Sequence, residues 1–137
     1  MVVDAGDFAW KNTTLTGLRA EQQQIEGRLI LDSMALSGMD AMAVGESDLS
    51  LGVQWLQEAT AAAGVPLLSA NLDCEGFAKF EPARRVERAG LRIGITAIIA
   101  EDSRLPAGCS ARDPGPAVRE ALDGLGELDI RVILSHQ

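Results

Sequence analysis

Tyrosine is absent, and aromatic residues make up only 4% of the 137-residue chain. A core without aromatic bulk has to be assembled from Ala, Val, Leu, Ile and Met. Positive charge is scarce too: 12 Lys and Arg face 20 Asp and Glu, for a net charge of -8. That balance argues against nucleic acid and anionic membrane surfaces as partners, because both select a basic face. No apolar run approaches the roughly 20 residues of a membrane span. No charged-then-apolar leader opens the chain. The phosphate-cradling Gly-x-x-x-x-Gly-Lys-Ser/Thr loop, the dinucleotide Gly-x-Gly-x-x-Gly turn and the Gly-x-Ser-x-Gly nucleophile elbow are all missing. Cysteine is limited to Cys74 and Cys109, both in polar, loop-like stretches and without the paired spacing of a zinc site. They read as two free thiols, with pairing left open for an oxidising compartment.

What is present suits one domain with a real core: 47% hydrophobic and 23% charged residues. The pattern begins with a short apolar strand, Val2–Asp4, that stops at Gly6. A polar connection follows over Lys11–Gly17. Helical periodicity runs from Leu18 to about Ser37, with Ile25, Leu29, Met34 and Leu36 expected on the buried face and Gly38 as the stop. Asp40–Val44 reads as a strand leaving through Gly45, Leu51–Ala63 as an Ala-rich helix closed by Gly64, and Pro66–Ala70 as a third strand. Phe77–Glu87 and Leu91–Ile99 read as a hairpin turning at Ala89-Gly90. Glu101–Pro116, rich in Pro and Gly, reads as a long loop with the character of a flap. Ala117–Leu125 reads as a helix and Ile130–Leu134 as a last strand.

The order β-α-β-α-β-β-β-α-β predicts an α/β fold: a mostly parallel sheet with an inserted hairpin. Residues 1–137 read as a single domain. Because the chain starts and stops on core elements, the expectation is that this domain is truncated.

Chemistry collects at strand ends. Asp4 and Asp7 flank Gly6, Glu46 and Asp48 follow Gly45, and His136, the single histidine, follows the last strand. Carboxylates and imidazole are ligands for hard and borderline divalent ions. At each position a bland role competes. Asp4 reads as structural, Asp48 as a cap for the helix starting near Leu51 with Ser50 sharing the duty, and Asn71 as a hydrogen-bonding residue between strand ends. Arg84, Arg85, Arg88 and Arg92 read as a solvated hairpin face, and Trp10 and Trp55 as packing residues.

Several of these segments, in order, resemble calcineurin-like metallophosphoesterases of the bacterial 5'-nucleotidase-like branch. Val3-Asp4-Ala5-Gly6-Asp7-Phe8 resembles their Gly-Asp motif. Met39–Gly45 resembles the strand leading into their Gly-Asn-His-Glu motif, and Pro66–Asn71 resembles the strand after it. Phe80-Glu81-Pro82, Gly90–Thr96 and Val132–His136 continue the likeness over nearly the whole chain. The resemblance implies a layered α-β-β-α domain that binds divalent ions (Mn, Zn, Mg or Ca), two in a complete domain. It further implies hydrolysis of small phosphorylated substrates such as nucleotides, and a periplasmic or secreted location. It makes Asp7 the bridging ligand and His136 a ligand to one ion, with Glu46 in place of a metal-binding Asn. The chain departs from the family at the catalytic pair: Ser47 stands where the family has its His, and Ser50 where nucleotidases have the Asp that orients it. A hydroxyl cannot act as a cation or as a general acid near neutral pH. The family's Asp-x-His motif would precede Met1 and its Gly-His-x-His motif would follow Gln137. A catalytically inactive binding or scaffold module of the same fold is the alternative expectation.

Overall fold

The computed structural model describes residues 1–8 and 18–136. The expected polar connection at residues 11–17 and Trp10 lie outside the described residues. Among the described residues, three helices and eight strands occur in the order β1 (Val3–Asp4), α1 (Leu18–Leu36), β2 (Ala41–Ala43), α2 (Val53–Ala63), β3 (Leu67–Leu68), β4 (Leu72–Cys74), β5 (Ala83–Arg88), β6 (Leu91–Ile99), β7 (Cys109–Ala111), α3 (Pro114–Asp123) and β8 (Ile130–His136). A 3-10 turn, Ser47–Leu51, precedes α2.

The architecture is α/β and layered. The parallel pairings and the expected hairpin are present, divided between two three-stranded sheets. One sheet has the order β1-β2-β3, all parallel; the other has β5-β6-β8, with β5 and β6 antiparallel and β6 and β8 parallel. Alternation along β2 builds the layers, since successive side chains point to opposite faces. Met42 packs outward with Leu31 of α1 and Ala59 of α2. Ala41 and Ala43 point inward, against Ile93, Ile95 and Ala97 of β6 and Leu134 of β8. Small residues on that face let the two sheets close on each other without aromatic filler. The far face of the second sheet receives α3, where Gly94 meets Leu122.

Several expectations change. Cys74 and Cys109 are disulfide-bonded, with Cα atoms 4.0 Å apart. They are direct partners in a two-stranded antiparallel ribbon of β4 and β7. The sequence does not show this because the ribbon is a non-local pairing of two three-residue strands. The expected loop Glu101–Pro116 contains β7, hidden for the same reason, and also the start of α3, which is set locally. Asp113 caps α3 by accepting the Gly115 N–H at 2.9 Å, and Pro114 occupies the first turn, where its missing N–H costs nothing. The hairpin's first strand begins at Ala83 rather than Phe77, because Pro82 cannot donate to a ladder.

The buried face of α1 is also corrected. Ile25, Leu29 and Leu36 are 71%, 67% and 91% exposed, while Gly27 and Leu31 are buried and Met34 packs against the core. The helix carries apolar residues on two faces, so periodicity alone could not choose between them. The hairpin arginines are ion-paired: Arg84 with Glu81, Arg85 with Glu87, Arg88 with Asp40, and Arg92 with Glu127 and Asp129. Trp55 packs against two of the core clusters.

Candidate functional site

The parallel ladder between β1 and β2 ends at the pair Asp4–Met42. Beyond it the two chains leave the sheet side by side. Asp4 closes the first exit by accepting the Gly6 N–H at 2.9 Å. Gly6 then turns at φ +97°, and a Cβ there would stand 2.8 Å from the Gly45 N. Gly45 answers on the other exit: its own Cβ would fall 2.6 Å from the Asp7 N and closer still to the Asp7 carboxylate. Two glycines facing each other are what allows the exits to interlock. Asp7 itself sits at φ +60°, a left-handed conformation that side chains other than Gly adopt at a cost and that concentrates at functional sites.

β8 brings the third component. Its last residue, His136, pairs with Ile99 at the end of β6, so the imidazole arrives from the second sheet at the same edge. Nδ1 lies 2.9 Å from the Ala5 carbonyl and Nε2 lies 2.7 Å from Glu46 Oε2. A carbonyl can only accept, so Nδ1 carries the proton and Nε2 is the atom turned toward the carboxylates. Asp7 Oδ1 is 3.6 Å from that same Nε2. One ligand atom each from Asp7, Glu46 and His136 lies within 4.8 Å of the others.

The electrostatics are those of an acidic cluster around one imidazole. Burial pulls the His136 pKa down. The Ala5 carbonyl, the Asp7 charge and the Glu46 carboxylate more than offset this, so the net direction is upward. Asp48 is wholly buried beneath the two exits. Burial pushes its pKa up to about 6, against hydrogen bonds from the Gly45 and Asp7 amides that pull it down.

Asp48 is the residue that sequence reasoning misplaced. The expected cap of α2 is not made; the N-cap of that helix is Gly52, with no side-chain bond. Asp48 instead accepts from the backbone N–H groups of Asp7, Phe8 and Gly45. The available signal was slight: an acid directly before Leu49 and four residues after Val44, two apolar residues suited to a core. Ser50 does not cap α2 either and donates to the Ser47 carbonyl. Asn71 is buried and joins strand ends, donating to the Ile99 and Arg112 carbonyls and accepting from the Ile99 N–H.

Ser47 is buried and turned toward Asp7. Its N–H donates to Asp7 Oδ1 at 2.9 Å and its hydroxyl to Oδ2 at 3.0 Å. It therefore braces a carboxylate. Ser50 contacts the Ser47 backbone, so the two serines do not form a side-chain pair.

Two carboxylate oxygens and an imidazole nitrogen within 4.8 Å of one another could hold one divalent ion, with Glu46 drawing back slightly from its 2.7 Å contact with Nε2. Metal–ligand distances of roughly 2.0–2.6 Å place donors about 3–5 Å apart. The Ala5 carbonyl on Nδ1–H gives the support that metal-ligating histidines ordinarily have, fixing ring and tautomer.

No protein-family model matches the chain, and no curated protein does. Solved structures do match. The 5'-nucleotidase precursor from Thermus thermophilus aligns over 98% of this chain with a TM-score of 0.70 and 28% identity. The calcineurin-like phosphoesterase YfkN from Bacillus subtilis aligns over 98% with a TM-score of 0.75 and 18% identity. The sulfate thiohydrolase SoxB from Thermus thermophilus aligns over 100% with a TM-score of 0.74 and 21% identity. The chain spans 27%, 47% and 26% of those three chains, respectively. The fold is that of the metallophosphoesterases, of the 5'-nucleotidase-like type.

Proposed function

We propose that this chain is the metal-binding portion of a phosphoesterase of the 5'-nucleotidase type, acting on phosphate esters of nucleotides or related small molecules. The observation that carries the reading is the convergence of Asp7, Glu46 and His136 from three strand ends, with their ligand atoms within 4.8 Å. These three residues would hold a divalent ion. When bound, the ion supplies a Lewis-acid charge for a phosphoryl group in a site that otherwise repels anions. The protein's own residues do the rest. Ala5 fixes the His136 tautomer, Ser47 orients Asp7, and the Gly6 and Gly45 turns keep the exits close. The Cys74–Cys109 disulfide supports an oxidising compartment for the protein.

A second reading rests on Ser47. Its hydroxyl is committed to Asp7, and the chain has no other histidine than His136. A metal-binding domain without turnover is what that substitution favours. One experiment separates the readings: load the protein with Mn²⁺ or Zn²⁺ and assay phosphate monoesters and diesters. Metal bound near-stoichiometrically with turnover supports the enzyme. Metal bound without turnover supports the inactive module. Failure to bind either ion removes the metal site from both.

A further inference from the structure

Asp48 is fully buried, yet it is absent from the ligand set. Its Oδ2 accepts the N–H of Asp7 at 2.9 Å and of Gly45 at 2.9 Å, and its Oδ1 accepts the N–H of Phe8 at 3.0 Å. The arrangement is specific. The amides of Asp7 and Phe8 bracket the one residue of this turn that is left-handed without being glycine, Asp7 at φ +60°. The third bond reaches the other exit, at the residue before Glu46. The β1–β2 ladder has already ended at Asp4–Met42, so a side chain takes over where the backbone stops holding the strands together.

We propose that Asp48 is a positioning residue: it clamps the two strand exits from below, imposes the turn at Asp7, and so brings the Asp7 and Glu46 carboxylates together before an ion arrives. This rests on the reading of Asp7, Glu46 and His136 as a metal site. A left-handed Asp persists only where its surroundings over-determine it. Three amides converging on one buried carboxylate supply that constraint and satisfy the groups that the ladder's end leaves open. Ser47 acts on the Asp7 side chain from above, whereas Asp48 acts on its backbone.

Asp48→Asn is isosteric but offers a single acceptor oxygen, and its NH₂ faces amide donors. Native-state amide exchange of the metal-free protein reads the clamp directly. Exchange at Asp7, Phe8 and Gly45 is expected to rise about tenfold or more, with Leu56 and Ile95 unchanged. Mn²⁺ titration reads the consequence, an affinity loss of about 10–100-fold, the usual cost of disturbing a ligand's support. A second measurement needs no variant: scalar couplings across the hydrogen bonds from the Asp7, Phe8 and Gly45 nitrogens to the Asp48 carboxyl carbon. Missing couplings, or unchanged exchange at the three amides, overturns the clamp whether or not the protein binds metal. Unchanged Mn²⁺ affinity in a variant that has lost the three protections overturns its link to the ligands. If the wild-type protein binds no Mn²⁺, the site reading fails and the link to the ligands fails with it, while the couplings and exchange still decide the clamp.

Discussion

His136 Nε2 lies 2.7 Å from Glu46 Oε2, across 90 residues of sequence. The same ring donates through Nδ1 to Ala5. One side chain thus touches the exits of β1 and β2 from the end of β8, which belongs to the other sheet. The site is a product of the layering: two sheets packed through Ala41 and Ala43 bring three carboxyl-end edges together, where open α/β sheets keep their chemistry.

The double substitution Ser47→His with Ser50→Asp tests whether this site lacks only its catalytic pair. If it does, metal-loaded protein gains phosphoesterase turnover of about 10²–10⁴, the range for a positioned acid or base. No gain in a variant that still binds metal shows that more than the pair has been lost.

Much of this was legible in the sequence, and the reasons differ from place to place. Gly6-Asp7 and Gly45-Glu46 stood out because a short apolar run that ends in Gly and an acid delivers a carboxylate to a sheet edge. His136 stood out as the single imidazole, directly after a β-branched strand. The α/β order followed from alternating periods. What stayed hidden depends on partners distant in sequence. β4 and β7 are three residues each and exist because they pair, and their disulfide cannot be read from spacing. The orientation of α1 depends on what the rest of the domain offers to cover, since apolar residues sit on two of its faces among charged and amide side chains. Asp48 looks like any helix-start acid until the β1 exit is placed above it.

Gly45→Ala should destabilise the protein by about 1–3 kcal/mol, the cost of forcing an atom into a packed contact. The added Cβ would meet the Asp7 carboxylate and stand 2.6 Å from the Asp7 N; the side chain can turn aside, but the backbone N cannot. Gly124→Ala is the control. Its Cβ would come no nearer than 3.4 Å to a neighbour, and a change within about 0.5 kcal/mol is expected. Urea denaturation of both variants against the wild type decides it; equal effects would contradict the interlocked exits.

Arg92 and Asp129 give a pH dependence of known sign. The Arg92 side chain, and then its backbone N–H, hold the Asp129 carboxyl down at about 2. A carboxyl lowered in the folded state adds stability above its unfolded pKa of about 3.9 and loses it as pH falls toward the folded value. The stability difference between wild type and Asp129→Asn should therefore be constant above about pH 5 and shrink between about pH 4 and pH 2. A difference that grows on acidification would contradict the pairing.

Reducing the Cys74–Cys109 bond should lower stability by about 2–4 kcal/mol, as expected for a closed loop of this size. The loss should fall on the β4–β7 ribbon, with faster amide exchange there than in β6. Cys74→Ser with Cys109→Ser should reproduce it. A midpoint unmoved by reductant would mean that the ribbon holds without the bond.

The central claim is that Asp7, Glu46 and His136 together hold a divalent ion. Calorimetric titration of Mn²⁺ into the wild-type protein and into His136→Ala, at a pH where the imidazole is neutral, tests it most directly. The account predicts a saturable, near-stoichiometric site in the wild type. In the variant it predicts a loss exceeding the roughly 10–100-fold that disturbing a ligand's support costs. Absence of saturable binding in the wild type, or equal affinity in the two proteins, would contradict it.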